Sequence, residues 1–141
     1  MLRSSRELEV IRTRNPEGRG RLGEGLQRLR IPNADRAIIE PAKVHGYLLS
    51  RSHPVGRFKA TFFLALGYSP DGWRELEADL RSQHLSRDVV REEQTPYGQK
   101  YVIRATLVGP AGSSADVVSV WVVRTGEGFP RFVTAYPEGE R

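Results

Sequence analysis

After about Ser86 the hydrophobic period of this chain changes from helical to two, and no other feature of its 141 residues restricts the fold as tightly. Asp88 to Thr95, Lys100 to Val108, Asp116 to Arg124 and Arg131 to Tyr136 are β-rich runs, separated by Pro96/Gly98, by Pro110/Gly112 and by Gly126/Gly128. Each connection is of hairpin length, which predicts a four-stranded antiparallel meander. In the second run Tyr101, Ile103, Ala105 and Leu107 form one side and Lys100, Val102, Arg104 and Thr106 the other; the first set reads as core. The third run is apolar on both sides, with Val118, Val120 and Val122 facing one way and Val117, Trp121 and Val123 the other, as expected of a central strand partly covered on its second face. Strict alternation in the last run places Phe132, Thr134 and Tyr136 on one face and Val133 and Ala135 on the opposite one.

Three helices are expected ahead of the strands. Pro32 breaks structure and Asn33 and Asp35 offer capping side chains, after which Pro41 opens a short helix through about Leu49 with Val44, Tyr47 and Leu48 as its apolar positions. A second helix, Gly56 to Leu66, carries Phe58, Phe62, Phe63 and Leu66 on a wide apolar face, and Gly67 is its natural stop. The third begins after Ser69, with Pro70 in its first turn, Asp71 and Glu75 complementing the dipole, and Trp73, Leu76 and Leu80 as a core stripe. Helices on one face of the meander make an α+β domain over residues 31–141.

Charge divides the chain. Residues 1–30 hold eight arginines against four glutamates and carry +4 of the net +5, together with Gly18, Gly20, Gly23 and Gly25 and few apolar residues, so they read as a flexible basic arm. Such an arm suits contact with a nucleic-acid backbone, or it is only a solubilising leader. The chain has no cysteine, which removes disulfides, thiolate nucleophiles and cysteine-ligated zinc. No run approaches the roughly 20 apolar residues of a membrane span and no signal-type region opens the chain, so a cytoplasmic protein without membrane contact is expected.

A rule is broken at the second helix. Arg57 and Lys59 put two cations where the macrodipole is already positive, with no carboxylate to offset them. A helix start with free N–H groups and a lysine suits a phosphate, and His53, six residues before Lys59, adds an imidazole that as a residue type titrates near neutrality. The combination points to phosphate-ester chemistry on RNA. The ordinary alternative is a solvated helix end, with His53 before Pro54 acting as a cap.

The run Ile31-Pro32-Asn33-Ala34-Asp35, then Gly46-Tyr47-Leu48-Leu49, His53-Pro54-Val55-Gly56, Lys59-Ala60 with Phe62-Phe63, and Thr95-Pro96-Tyr97-Gly98 resembles a bacterial family of uncharacterised domains over about residues 31–137. Members occur alone and near genes of toxin and immunity type. Their outline is similar to the barnase, EndoU, colicin and RelE-like (BECR) ribonuclease superfamily, and Phe132-Val133-Thr134-Ala135-Tyr136-Pro137 is similar to the last strand of many such toxins. The resemblance implies a BECR-like fold and a metal-independent endoribonuclease of bacterial toxin type, without cofactor, that cleaves RNA, tRNA among the candidates, through the ribose 2′-hydroxyl.

That chemistry needs a base for the 2′-hydroxyl, an acid for the leaving oxygen and cations for the charged transition state. His53 is the candidate acid or base; Lys59 and Arg104 would hold phosphate, Thr134 and Tyr136 would orient it, and Lys100, Arg131 and Arg57 are further phosphate ligands. The chain departs from the well-understood toxins in lacking a second well-placed histidine: His45 lies mid-helix and His84 follows the third helix. The other proton-transfer role is left to Lys59, Tyr136 or nothing. No HExxH, GxxxxGK[ST] or GxSxG pattern occurs, and Glu92 and Glu93 point to opposite faces of a strand, which disfavours metal hydrolase, P-loop, serine hydrolase and paired-carboxylate readings. The rival class is a non-catalytic module that binds RNA or a small cognate immunity or antitoxin protein encoded beside it.

Overall fold

A computed structural model describes residues 29–139 of the chain. Residues 1–28, nearly all of the arginine-rich arm, lie outside the described residues. Arg30, the last residue assigned to that arm, is tied to the sheet: its Nε donates to Asp88 Oδ1 at 2.9 Å, while Leu29 O accepts from Val89 N–H at 2.7 Å.

A 3₁₀ turn, Ala34–Arg36, leads to α1, Pro41–Lys43, which runs on as a π-helical turn over Val44–Leu48. Then come α2, Arg57–Ala65, and α3, Trp73–Gln83. The strands are β1, Val89–Thr95, β2, Gly98–Val108, β3, Ser114–Arg124, and β4, Pro130–Pro137, and they pair in the order β1-β2-β3-β4, all antiparallel. The fold is thus α+β, with three helices ahead of a meander.

Local chemistry accounts for the helix ends. Pro41 opens α1, where a missing N–H costs nothing. α2 closes in a Schellman arrangement: Gly67 takes a φ of 107°, its N–H reaches Leu64 O, and Tyr68 N–H reaches back to Phe63 O. Two expected caps fall elsewhere. Asn33 caps no helix with its side chain; it sits at a φ of 53° and its Nδ2 donates to Gly128 O at 2.6 Å, pinning the N-terminal segment to the β3–β4 turn. Pro70 and Asp71 lie in the turn before α3, where Ser69 Oγ accepts from Gly72 N–H.

The core fills the space between the helices and one sheet face. Phe63 from α2, Leu76 and Leu80 from α3, Ile103 and Leu107 from β2, Val117 and Trp121 from β3 and Phe132 from β4 are buried in one cluster. Burying a side chain of this size contributes about 1.5–3 kcal/mol, so this layer dominates the stability. The opposite sheet face has its own small cluster, Val102, Val118 and Val120, packed by Val133 and Tyr136.

That second cluster overturns the alternation expected in the last strand. Trp121 pairs with Phe132 but Val120 pairs with Thr134, so Val133 is an extra residue in a β-bulge. A single inserted residue shifts every later side chain by one position. Phe132 accordingly joins Ala135 in the main core, whereas Tyr136 shares the outer face with Val133.

The segment before α1 runs along the free edge of β4. Ile38 N–H donates to Pro130 O and Ile38 O accepts from Phe132 N–H, both at 2.9 Å. This short parallel contact brings α1 and its π-turn to β4.

Candidate functional site

The loop between the π-turn and α2 is closed by His53. Its Nδ1 accepts from Val55 N–H at 3.0 Å and from Gly56 N–H at 2.9 Å, and its carbonyl accepts from Arg57 N–H. An imidazole nitrogen that accepts twice carries no proton, so His53 is fixed in the tautomer with the proton on Nε2. His53 therefore closes the turn that leads into α2 rather than capping the helix, whose N-cap, Gly56, has no side-chain cap. The N–H groups around the start of α2, expected to cradle a phosphate, are engaged within the chain: Val55 and Gly56 N–H by His53 Nδ1, Arg57 N–H by His53 O and Lys59 N–H by Gly56 O.

The same ring packs edge-on against Tyr47, with centroids 5.0 Å apart and an interplanar angle of 88°. Tyr47 comes from the π-turn, and Gly56 lets α2 start directly against it: a Cβ there would meet Tyr47 O at 2.1 Å. From the first turn of α2, Lys59 reaches back, its Nζ donating to Tyr47 Oη at 2.8 Å and standing 5.1 Å from the ring centre. Burial pushes the Tyr47 phenol up, but the Lys59 hydrogen bond, the Thr134 side chain and the charges of Lys59 and Lys43 outweigh it, and the net shift is downward. Thr134 Oγ1 is itself buried and completes no hydrogen bond of normal geometry. A buried hydroxyl in that state costs about 1–3 kcal/mol.

Three residues singled out from the sequence, His53, Lys59 and Thr134, are thus associated with one phenol that the sequence reading had assigned to the apolar side of a helix. Tyr47 is the residue missed. Its position in the Gly46-Tyr47-Leu48-Leu49 motif was visible, but a tyrosine at helical spacing reads as packing unless its hydroxyl partner is known.

Among the described residues, the other candidates make no hydrogen bond to the Tyr47 phenol. Arg104 and Tyr136 both face Val118 in register on the outer sheet face, and Arg104 Nη1 lies 3.4 Å from Glu138. Lys100 Nζ lies 3.9 Å from Glu93 on the neighbouring strand. Arg131 donates to both carboxylate oxygens of Glu127, stands 3.6 Å from Glu40 and lies over the Phe129 ring. Arg57 is on the exposed side of α2. His84 is wholly buried, with Nδ1 2.7 Å from Ser119 Oγ and Nε2 3.2 Å from Ala105 O; Ser119 Oγ also accepts from Trp121 Nε1 at 2.9 Å. It is a structural histidine.

Electrostatics reinforce the Tyr47 cluster. From Pro41 to Pro70 the chain contains Lys43, Arg51, Arg57 and Lys59 and no Asp or Glu, so the segment that builds the site is uniformly cationic. It would favour an anionic ligand.

The domain described as Domain of unknown function (DUF6883) matches residues 30–139. Among curated proteins nothing matches. Among solved structures, the chain is similar to one chain of "Contact-dependent growth inhibition toxin - immunity protein complex from Klebsiella pneumoniae 342", with a TM-score of 0.57 and 21% identity, over 76% of this chain and 97% of that one. At that identity the likeness speaks for the fold. Among the described residues no helix is long and apolar enough to cross a membrane.

Proposed function

The chain belongs to the family of unknown function DUF6883, and on that premise we propose that it is a metal-independent endoribonuclease of bacterial toxin type. The observation that carries the reading is Lys59 Nζ bonded to Tyr47 Oη at 2.8 Å, with the tautomer-fixed His53 ring against the same phenol.

The chemistry divides between those groups. Tyr47, shifted toward its phenolate, takes the proton from the ribose 2′-hydroxyl; the 2′-oxygen attacks phosphorus to form a cyclic phosphate. His53, whose Nδ1 is committed to the backbone, keeps its Nε2 proton and donates a hydrogen bond to the departing 5′-oxygen, which takes its proton from the Tyr47 hydroxyl formed in the first step. Lys59 stabilises first the phenolate and then the negative charge on the pentacoordinate phosphorus. Tyr47 thus fills the proton-transfer role for which the sequence offered no second histidine. The toxin-type part of the reading is supported by the fold likeness to a chain from a toxin–immunity complex, and it carries with it a small cognate immunity or antitoxin protein as partner.

The test is incubation of the purified protein with total RNA and with tRNA in EDTA, read on a denaturing gel beside Tyr47→Phe and His53→Ala. Discrete fragments from wild type alone are expected. RNA left intact by wild type, or cut equally by Tyr47→Phe, overturns the reading and leaves the non-catalytic binding module.

A further inference from the structure

Beside the Tyr47 cluster, α2 borders an open cavity of about 720 Å³ lined by Arg51, Arg57, Thr61, Leu64 and Ala65. Arg57, Thr61, Leu64 and Ala65 lie at the spacing of one helix face, and Lys59 projects from the other side of the same turn. The cavity and the phenol therefore flank a single helix start, which His53 joins through its bonds to Gly56 and Arg57.

We propose that this groove is a subsite for a phosphodiester of single-stranded RNA flanking the bond that is cut. The inference rests on the ribonuclease reading for the position of that bond, but its binding test does not. Three features favour RNA over a free anion or an acidic protein surface. Two guanidinium groups and a hydroxyl supply a planar, multidentate phosphate match, which Arg makes better than Lys. Leu64 and Ala65 give the groove an apolar floor that a bare inorganic anion would not use and a ribose or base would. Among the described residues that line the groove none is acidic, and none from Pro41 to Pro70 is either, so a phosphate backbone meets no like charge along that segment.

The experiment measures binding of a fluorescent 2′-O-methyl oligoribonucleotide, which lacks the attacking hydroxyl, to the full chain over a range of salt concentrations. Arg51→Ala/Arg57→Ala should flatten the plot of log affinity against log salt by about 1.4, the loss of two phosphate contacts on a single strand. Arg51→Lys/Arg57→Lys should keep the slope and so exclude misfolding as the cause. With cleavable RNA, the alanine pair should raise KM and leave kcat unchanged. An unchanged salt slope in the alanine pair, or no oligonucleotide binding by wild type, overturns the subsite; so does loss of poly-glutamate binding with RNA binding intact, which would assign the groove to an acidic protein. If wild type binds through the arginines yet cuts no RNA, the subsite stands and the ribonuclease reading alone falls.

Discussion

The proton on His53 and the proton on Tyr47 are set by different neighbours, and that separation gives each a distinct role. Two backbone N–H groups donate to His53 Nδ1, while Lys59 draws the phenol toward phenolate. Tyr47→Phe keeps the ring and removes only the acceptor of Lys59, so a drop in cleavage of about 10²-fold or more is expected with little loss of stability, checked by gel kinetics and thermal melting. In an ultraviolet titration, Tyr47 should ionise before Tyr101, which burial holds up at about 12, and Lys59→Ala should move the early transition to higher pH. Thr134→Val replaces a buried hydroxyl that completes no hydrogen bond of normal geometry by a methyl group of similar size. The melting temperature should rise, by about 1 kcal/mol of added stability at most, while cleavage weakens, the pattern expected where a site holds a group at a cost in stability.

The turn into α2 has two duties, closure of the backbone by His53 and chemistry, and the substitutions that separate them are available. His53→Ala should lose about 1 kcal/mol of stability with its hydrogen bonds to the Val55 and Gly56 N–H groups, as well as turnover. His53→Asn retains a side-chain acceptor for the Val55 and Gly56 N–H groups but no donor corresponding to Nε2–H, so its stability should stay near that of wild type while turnover is lost. Comparing denaturant midpoints with cleavage rates for the pair makes the distinction. Gly56→Ala should destabilise the fold by roughly 1–3 kcal/mol, because its Cβ would drive into the Tyr47 carbonyl although the backbone angle itself, a φ of −62°, suits any residue.

Across the whole molecule, α3 is locked to the sheet by the buried chain from His84 to Ser119 to Trp121. Burial lowers the His84 pKa from the usual 6.5 to about 4, the Ala105 carbonyl opposing the shift and the Arg87 charge adding to it. Between those values the unfolded chain binds the proton and the folded chain does not. The contribution of neutral His84 is therefore complete above pH 6.5 and is lost as pH falls toward 4, about 3 kcal/mol in all. Urea unfolding at pH 7 and pH 4.5 should show this loss in wild type and a flatter dependence in His84→Gln; equal slopes would remove His84 as the source.

Much of the architecture was legible in the residues because it depends on neighbours close in sequence. The change of period after Ser86, the hairpin-length turns, Pro41 at one helix start and Gly67 at another helix end each constrain the backbone over a few residues, and the strands lie within two residues of the expected bounds. The two-faced β2 and β3 follow from the pleat alone. What only the tertiary structure decided are the relations between distant segments. The bulge at Val133 arises in the pairing with β3 and reversed the expected company of Phe132. The burial of His84 depends on Ala105 and Ser119 arriving across the sheet. Tyr47, read as packing, became the centre of the candidate site because π-turn, α2 and β4 bring Lys59, His53 and Thr134 to its ring. Periodicity specifies which face of an element is apolar; the proton affinity and partners of a polar atom depend on whatever the fold places within a few ångströms of it.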